Sequence, residues 1–580
     1  MEQKHLVALD TRHIKRYVFA TDKLKEIRGA SATLDLLNRH VMEDVARELG
    51  IHVRKVFANG GAALFLIDGD EQTAQQFGRR IQQRYHKETF AGVSITFAVQ
   101  KIPEHVANAW EENIQETLDL LYARLEMESN HEEDIIELSS HPFMHTCDSC
   151  GVRYAETRDK NEARDAGSLD RLHCCTCQQK RSEDEIVKKG IGTITAFTTR
   201  YAKEETDSSH EMTLPDTEEI RHSFAWQALL RELPSLGYEI PANTERPSDF
   251  NELRSIVGGK GYFAVIYADG NGMGTVMNNL HSLKGRKEKA DLIDTAVYNA
   301  LRAAVSQYLP VDQRSSPPLF PFDLLLVGGD DILIVTSADV ALDIALTIAK
   351  QFHEQTGKQH TLSVGVVLAP VKYPFGLLHN LAEETLKYAK KEGAKKIERS
   401  TQVEKGADTD ARINFLVVTG STSQSFEKVY DSLCDKHGRV SGREKDIAFY
   451  ATLRPYAVEM MDKLLQTIRA GQELGLGRTK LHQIREAVLK MNLTSSVKEG
   501  LELLHNWRPR QRDFISIQVY EMGNRYQKRY RNEARPETLF PRTVFPWFAD
   551  GSDAYRSPLL DFVELYDFVA SKGGNHADKG

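Results

Sequence analysis

Long hydrophobic runs are missing from this sequence. No stretch of its 580 residues approaches the roughly 18 to 20 apolar residues of a membrane span, and Met1-Glu2-Gln3-Lys4-His5-Leu6 opens no signal-peptide core. The expectation is a cytoplasmic protein with no membrane partner. Excess charge of either sign is also missing: 75 Lys plus Arg stand against 83 Asp plus Glu, a formal net charge of −8. That excludes a surface coated with phosphate-binding lysines, so nucleic-acid binding must come from a local groove or a partner. Cysteine is scarce, with six in all. Their crowding excludes a secreted disulfide framework, since Cys147, Cys150, Cys174, Cys175 and Cys177 lie together and Cys434 stands alone. With 41% hydrophobic and 27% charged residues, the chain has the composition of a globular protein long enough for several domains.

Periodicity and turn residues divide the chain into blocks. Residues 1–139 read as β-α-β-β-α-β: a strand at Leu6 to Leu9, a helix around Ser31 to Leu49, two strands flanking Asn59-Gly60-Gly61, a helix from Glu71 to His86, a strand at Ser94 to Val99 and a helix through Leu118 to Met127. Residues 140–185 hold the cysteines, with a charged insert from Glu156 to Arg164. Residues 186–258 form a connector, acidic near Glu204 to Asp207 and helical around Ser223 to Arg231. Residues 259–422 repeat the first order. Tyr262 to Ala268 is a strand, Asp291 to Tyr308 a helix, and Leu324 to Val327 and Ile332 to Val335 flank Gly328-Gly329-Asp330-Asp331. Ser337 is expected to cap a helix through Phe352, followed by a strand at Leu362 to Leu368, a helix from Leu377 to Lys391 and a strand at Ile413 to Val418. Residues 423–580 read as mostly helical, as in Ala457 to Ala470, Leu481 to Met491 and Ser495 to His505, ending on an apolar pattern at Leu559 to Leu565 and a polar tail. The fold class is α+β multidomain, with two ferredoxin-like units, a zinc-binding module between them and a mostly helical C-terminal domain.

In such a split β-α-β fold the end of the first strand lies beside the turn between the second and third. In the second copy this brings Asp269 to Asp330 and Asp331. Carboxylates so placed repel one another unless hard divalent cations neutralise them, and two Mg²⁺ or Mn²⁺ ions there suit nucleotidyl transfer. Gly270 and Gly272 in Asp269-Gly270-Asn271-Gly272-Met273-Gly274, with Gly328 and Gly329, let backbone N–H groups approach phosphates. Gly-Gly-Asp-Asp alone also makes an ordinary hairpin turn; the strand-terminal Asp, the double Asp and the intervening helix together point to a site. The first copy reads Asn59-Gly60-Gly61-Ala62-Ala63, which keeps the glycines and loses the carboxylates, so it is expected to shape a nucleotide pocket without carrying chemistry. Lys387, Lys390 and Lys391 lie on the helix after the fourth strand, placed to reach triphosphate oxygens, although lysines on a helix face are usually just solvated.

Cys147-x-x-Cys150 and Cys174-x-x-Cys177 have the spacing of paired zinc knuckles, a closed structural Zn²⁺ site. Cys175 or His173 can substitute for one ligand.

On these residues the chain resembles the large, polymerase-like subunit of type III CRISPR effector complexes, the CRISPR polymerase family in its Cmr branch. The run from Asp10 to Ser31 is similar to the family's first palm. Tyr267-Ala268-Asp269-Gly270-Asn271-Gly272-Met273-Gly274 and Gly328-Gly329-Asp330-Asp331 resemble its second palm, and Arg454-Pro455-Tyr456 and Ser557-Pro558-Leu559-Leu560-Asp561 resemble marks of its C-terminal domain. The resemblance implies ATP as substrate and Asp269, Asp330 and Asp331 as metal ligands. It also implies other Cmr-type subunits, CRISPR RNA and target RNA as partners, and synthesis of cyclic oligoadenylates switched on by target RNA for antiviral defence. Many members begin with an HD nuclease domain; this sequence opens at the first palm, so that activity is not expected. Some members adenylate S-adenosylmethionine instead, and the same motif would serve. A non-catalytic RNA scaffold is the reading of another class, and the retained carboxylates oppose it. A freestanding diguanylate-cyclase-like enzyme is disfavoured by the cysteine module and helical C-terminus, and a templated polymerase by the charge.

Overall fold

The computed structural model describes residues 3–131, 144–159, 171–189, 225–257, 261–399, 411–420, 425–438, 446–530, 543–550 and 554–570. The acidic part of the connector, most of the charged insert and the polar tail lie outside them. Two compact units divide the chain. One comprises Met1–Ile256, Gly272–Ile334 and Pro374–Gly376, the other Val257–Asn271, Val335–Tyr373 and Leu377–Gly580. Among the described residues no helix is long and apolar enough to cross a membrane.

The first unit opens with β1 (Lys4–Arg12), α1 (Ile14–Val18), α2 (Leu24–Leu36), α3 (Met42–Glu48), β2 (His52–Asn59), β3 (Ala62–Asp68), α4 (Glu71–Glu88), β4 (Ser94–Lys101) and α5 (Gln115–His131). Its sheet order is β2-β3-β1-β4, the split β-α-β arrangement expected from the sequence. Successive strand residues face opposite sides of a sheet, and here both sides are covered. Leu6, Ala8, Leu64 and Leu66 pack with Leu118 and Leu121 of α5. Phe65 meets Phe77 of α4 edge-on at 5.4 Å. Double coverage explains why Leu6 to Leu9 of β1 form a continuous apolar run rather than an alternating one. Asp70 starts α4 by accepting the Thr73 amide at 2.8 Å. The helix read from Ser31 to Leu49 is longer than expected, starting at Leu24 and passing through one π-helical turn, Leu37–Val41, before α3.

The cysteine module contributes β5 (Thr157–Asp159), paired antiparallel with β6 (Arg171–His173), and α6 (Cys175–Lys189). α6 lies directly on α2: a β-carbon at Gly29 would stand 1.7 Å from the Lys180 carbonyl oxygen, so glycine is required at that crossing. Around it Arg181 pairs with Glu26 at 2.7 Å, and the Lys180 ammonium lies 4.1 Å from the Tyr17 ring centroid.

The second palm follows the expected order: β7 (Tyr262–Gly270), helices Met273–Asn278 and Leu283–Tyr308, β8 (Phe322–Gly328), β9 (Asp331–Ser337), helix Ala341–Gln355, β10 (Leu362–Pro370), helix Phe375–Arg399 and β11 (Arg412–Val417). Within the second unit β10 pairs antiparallel with β7, setting Ser363 opposite Asp269, and parallel with β11. One expectation fails here. Ser337 does not cap a helix; it ends β9, its hydroxyl donates to Asp339, and the helix starts four residues later with Val340 at its cap position. A serine before an apolar run carries the same signal whether it ends a strand or begins a helix.

The C-terminal region has the three expected helices, Val458–Glu473, Arg478–Leu489 and Leu493–His505, and two more at Pro509–Tyr530 and, on the apolar pattern, Leu559–Leu565. It also holds a sheet that periodicity did not reveal, because its strands are two to five residues long. These are β12 (Cys434–Gly438), β13 (Ile447–Tyr450), β15 (Thr543–Val544), β16 (Trp547–Ala549) and β17 (Ala554–Arg556), ordered β12-β13-β17-β16-β15, while β14 (Tyr456–Ala457) pairs with β11.

Candidate active site and cysteine cluster

In the first palm, register places Asp10 opposite Ala62, the first residue after the Gly60-Gly61 turn. The Thr11 amide donates to the Gly61 carbonyl at 2.8 Å. The end of the first strand and the hairpin turn therefore meet, as the fold requires. Asp10, Arg12, His13, Tyr122, Glu126 and Ser129 line a cavity of about 450 Å³ beside that turn. Desolvation raises the Asp10 pKa above the ordinary carboxylate value, against the opposing pull of Arg12.

In the second palm Asp269 lies one residue inside the end of β7, with its side chain 31% exposed. Lys390 makes an ion pair with it and donates to the Gly270 carbonyl at 2.7 Å. Of Lys387, Lys390 and Lys391, Lys390 is thus the one brought to Asp269. Lys387 is 71% exposed and pairs with Glu383 at 2.7 Å, one turn away, and Lys391 is exposed. Gly272 adopts a left-handed conformation, φ +67°, where the chain leaves β7 for the next helix, and a β-carbon there would meet nothing within 4 Å.

Asn271, between the two glycines, was not singled out by sequence. Its amide donates to the Thr361 carbonyl at 2.9 Å, its side-chain Nδ2 donates to Thr361 Oγ1 at 2.9 Å, and its Oδ1 accepts from the buried Ser363 hydroxyl at 2.9 Å. This three-point tie fixes the loop after Asp269 to β10. The available signal was an Asn flanked by glycines, a residue whose amide commonly bonds backbone in turns.

Asp330 and Asp331 lie half-buried at the turn between β8 and β9. Gly328 and Gly329 of that turn face the first palm's turn within the same unit. A β-carbon on Gly60 would stand 3.3 Å from the Gly328 oxygen, and one on Gly328 would stand 3.1 Å from the Gly60 Cα. The glycines of both hairpins therefore serve close backbone approach.

The cysteine expectation resolves to one ligand set. Cys147, Cys150, Cys174 and Cys177 offer sulfurs all within 4.8 Å of one another, three of the residues being buried. Cys150 and Cys174 sulfurs are 3.9 Å apart, close to the roughly 3.8 Å that a tetrahedral Zn²⁺ with 2.3 Å bonds would impose. Cys175 turns away and donates to the Glu156 carboxylate at 2.8 Å. Hydrogen bonds from Cys150, Cys174 and Cys177 drive the Cys147 thiol far down, while hydrogen bonds with Cys147, Cys150 and Cys174 push Cys177 up. Although its bond with Cys147 opposes it, Cys150 is lowered to about 6 by Cys174 and Cys177. Four sulfurs gathered at this mutual distance are suited to a cation at their centre.

Residues 262–397 match the family model of the Cas10/Cmr2 second palm domain. No curated protein matches the chain. Among solved structures, a chain from a Csm1–Csm4 cassette in complex with cA4 superposes with a TM-score of 0.54 at 14% identity, covering 97% of this chain and 69% of that one. A chain from the cassette in complex with AMPPNP gives 0.51 at 15%, covering 98% and 69%. Csm1 in T. onnurineus gives 0.50 at 14%, covering 98% and 70%. Residues 262–397 therefore carry the match to the Cas10/Cmr2 second palm domain, and the chain as a whole is similar in fold to the matched Csm1–Csm4 cassette chain and to Csm1.

Proposed function

We propose that this chain is the catalytic large subunit of a type III CRISPR effector complex of the Cmr kind, acting in the cytoplasm. When the complex binds target RNA through its CRISPR RNA, the second palm makes a cyclic oligoadenylate messenger from ATP. The observation that carries the reading is the family match over 262–397, which contains Asp269, Asp330, Asp331 and both glycine pairs. The domains we assign are a first palm at 1–139, a zinc module at 140–185, a connector at 186–258, the second palm at 259–422 and a C-terminal helical domain at 423–580.

The reaction is attack by a ribose hydroxyl of one ATP on the α-phosphorus of another, with loss of pyrophosphate and of the hydroxyl proton. Asp269, Asp330 and Asp331 would hold two Mg²⁺ or Mn²⁺ ions, which when bound supply Lewis-acid stabilisation of the attacking and leaving oxygens. The Lys390 ammonium on Asp269 supports this, because that carboxylate already takes a cationic partner. Gly272, where a side chain would meet nothing within 4 Å, leaves room for a phosphate, Gly270, Gly328 and Gly329 are proposed further backbone contacts, and Lys390 and Lys387 are the proposed cationic contacts to the triphosphate. The first palm's cavity, with Asp10 and Arg12 in its lining, is the proposed seat of the acceptor nucleotide. That AMPPNP and cA4 are bound in the similar cassettes agrees with this assignment. The four cysteines would hold a structural Zn²⁺.

The test is the assembled complex incubated with ATP and Mn²⁺ or Mg²⁺, with and without target RNA and S-adenosylmethionine, and the products weighed by mass spectrometry. Asp330→Ala with Asp331→Ala should abolish product while assembly persists. Continued synthesis by that double variant overturns the mechanism, and a product carrying S-adenosylmethionine changes the acceptor. No product from the wild-type complex in any arm leaves the scaffold reading in its place.

A further inference from the structure

Within the first unit, one arginine joins three parts of the chain that are remote in sequence. Arg28 of α2 is 2% exposed. Its Nε and Nη2 donate to the two carboxylate oxygens of Asp184 on α6, at 2.7 and 3.0 Å. Its Nη1 donates to Asp323 Oδ2 on β8 at 2.9 Å and also to the Pro247 carbonyl. Arg246 from the connector closes the group, its Nε reaching Asp323 Oδ1 at 3.2 Å. Asp184 and Asp323 are 1% and 0% exposed. Two arginines and two aspartates thus balance their charges away from water.

Such a group resists piecemeal movement, because separating any pair strands a desolvated charge. Its placement gives that stiffness a direction. Asp184 lies seven residues after Cys177 on α6, about two helical turns or 10 Å. Asp323 lies five residues before Gly328 on β8, about 17 Å of strand that ends in the Gly328-Gly329-Asp330-Asp331 turn. The cysteine cluster holds the start of α6, since Cys174 precedes it and Cys177 lies in its first turn.

We propose that the cysteine cluster sets the position of the Gly328-Gly329-Asp330-Asp331 turn through Arg28, a positioning residue that grips Asp184 and Asp323 at once. This rests on the proposed metal in the cluster and on the proposed role of the turn. A metal held by the four thiolates fixes the first turn of α6, the bidentate Arg28–Asp184 pair fixes α2 and α6 to each other, and the second arm of the guanidinium fixes the base of β8. The planar fork matters: a lysine keeps the charge but cannot serve both carboxylates.

The test is hydrogen exchange by mass spectrometry on the full chain, zinc-loaded and metal-stripped, with kinetics on the assembled complex alongside. In wild type, stripping should speed exchange across 322–331 about tenfold or more while β2 of the first palm keeps its rate. Asp184→Asn retains all four thiols but breaks the pair. In it, 322–331 should exchange fast even with zinc bound, and stripping should add less than about twofold. Arg28→Lys should behave in the same way, and it carries the comparison if Asp184→Asn does not fold. In the complex either variant should lower kcat about tenfold while leaving KM for ATP within about twofold. The proposal is overturned if stripping leaves 322–331 unchanged in wild type, if stripping speeds it equally in the variants, or if kcat is unaffected in a variant whose turn exchanges fast. The exchange arm stands whether or not the wild-type complex makes a nucleotide product, so failure of the enzymatic reading is seen separately.

Discussion

Gly60 and Gly328 meet backbone to backbone: a methyl group on Gly60 would stand 3.3 Å from the Gly328 carbonyl oxygen, and its φ of +59° disfavours any other residue. The first palm has lost the carboxylates of its hairpin, yet that hairpin still buttresses the one bearing Asp330. Gly50 supplies the control, because it has nearly the same backbone conformation, φ +63°, and a methyl group there would meet nothing within 4 Å. Gly50→Ala and Gly60→Ala should each lose about 1 kcal/mol of stability from left-handed strain. Only Gly60→Ala should also cut nucleotide product, by about tenfold, since only there is the neighbouring turn displaced. Equal product from the two variants would show that the contact has no bearing on the chemistry.

Lys390 and Lys387 start from different places. Lys390 is already at Asp269 and the Gly270 carbonyl, whereas Lys387 stands in solvent beside Glu383. Lys390→Met should raise KM for ATP about tenfold with kcat within about threefold, the pattern of a contact to the triphosphate made in ground and transition states alike. Lys387→Met should shift KM by less than about twofold, as is usual for an exposed helix-face pair. The two KM values from initial-rate measurements settle the order; a larger effect at Lys387 would reverse it.

Cys175 is one residue from a cluster sulfur and bonds to Glu156 instead. The prediction is that Cys175→Ser retains one zinc per chain and Cys177→Ser loses it, as read by elemental analysis after purification. Because a closed four-thiolate site contributes folding free energy directly, Cys177→Ser should also lower the unfolding temperature, and Cys175→Ser should not. Zinc loss from Cys175→Ser would mean that the spare thiol takes part after all.

What the sequence made legible was whatever rests on local pattern or on a short motif. Strand, helix and turn order in both palms follows from apolar periodicity and glycine placement, and the four thiolates follow from two Cys-x-x-Cys spacings. The motifs Arg454-Pro455-Tyr456 and Ser557-Pro558-Leu559-Leu560-Asp561 were visible as separate marks, but their relation was not. Asp561, fully buried, accepts from Arg454 Nε at 3.0 Å, the Tyr456 hydroxyl at 2.6 Å, the Thr452 hydroxyl at 2.8 Å and the Leu453 amide at 2.9 Å. Nothing local in either motif names its partner about a hundred residues away. The same holds for Arg28, whose contacts to Asp184 and Asp323 span 156 and 295 residues. The C-terminal sheet was missed for the opposite reason: strands of two to five residues are too short for a period to register. Ser337 misled because a capping signal is read from composition, whereas a cap is made by geometry.

His40 lies in the π-helical turn between α2 and α3, with its Nε2 buried and without a hydrogen-bond partner among the described residues. Burial lowers its pKa to about 4, although Glu43 pulls upward; Lys55, Arg39 and Arg47 add to the fall. Between pH 6.5 and 4 the unfolded chain therefore binds a proton that the folded chain does not, and stability rises with pH across that window. The contribution is complete above about pH 6.5 and is lost as the pH falls toward 4. At pH 5 the loss should be about 2 kcal/mol relative to pH 7.5. His40→Gln cannot take up the proton, so the stability difference between the two pH values should shrink by that amount. Denaturant-dependent hydrogen exchange of peptides from α2 to β2, measured at both pH values, gives the comparison directly. An unchanged pH dependence in the variant would assign the acid sensitivity of the first palm to other groups.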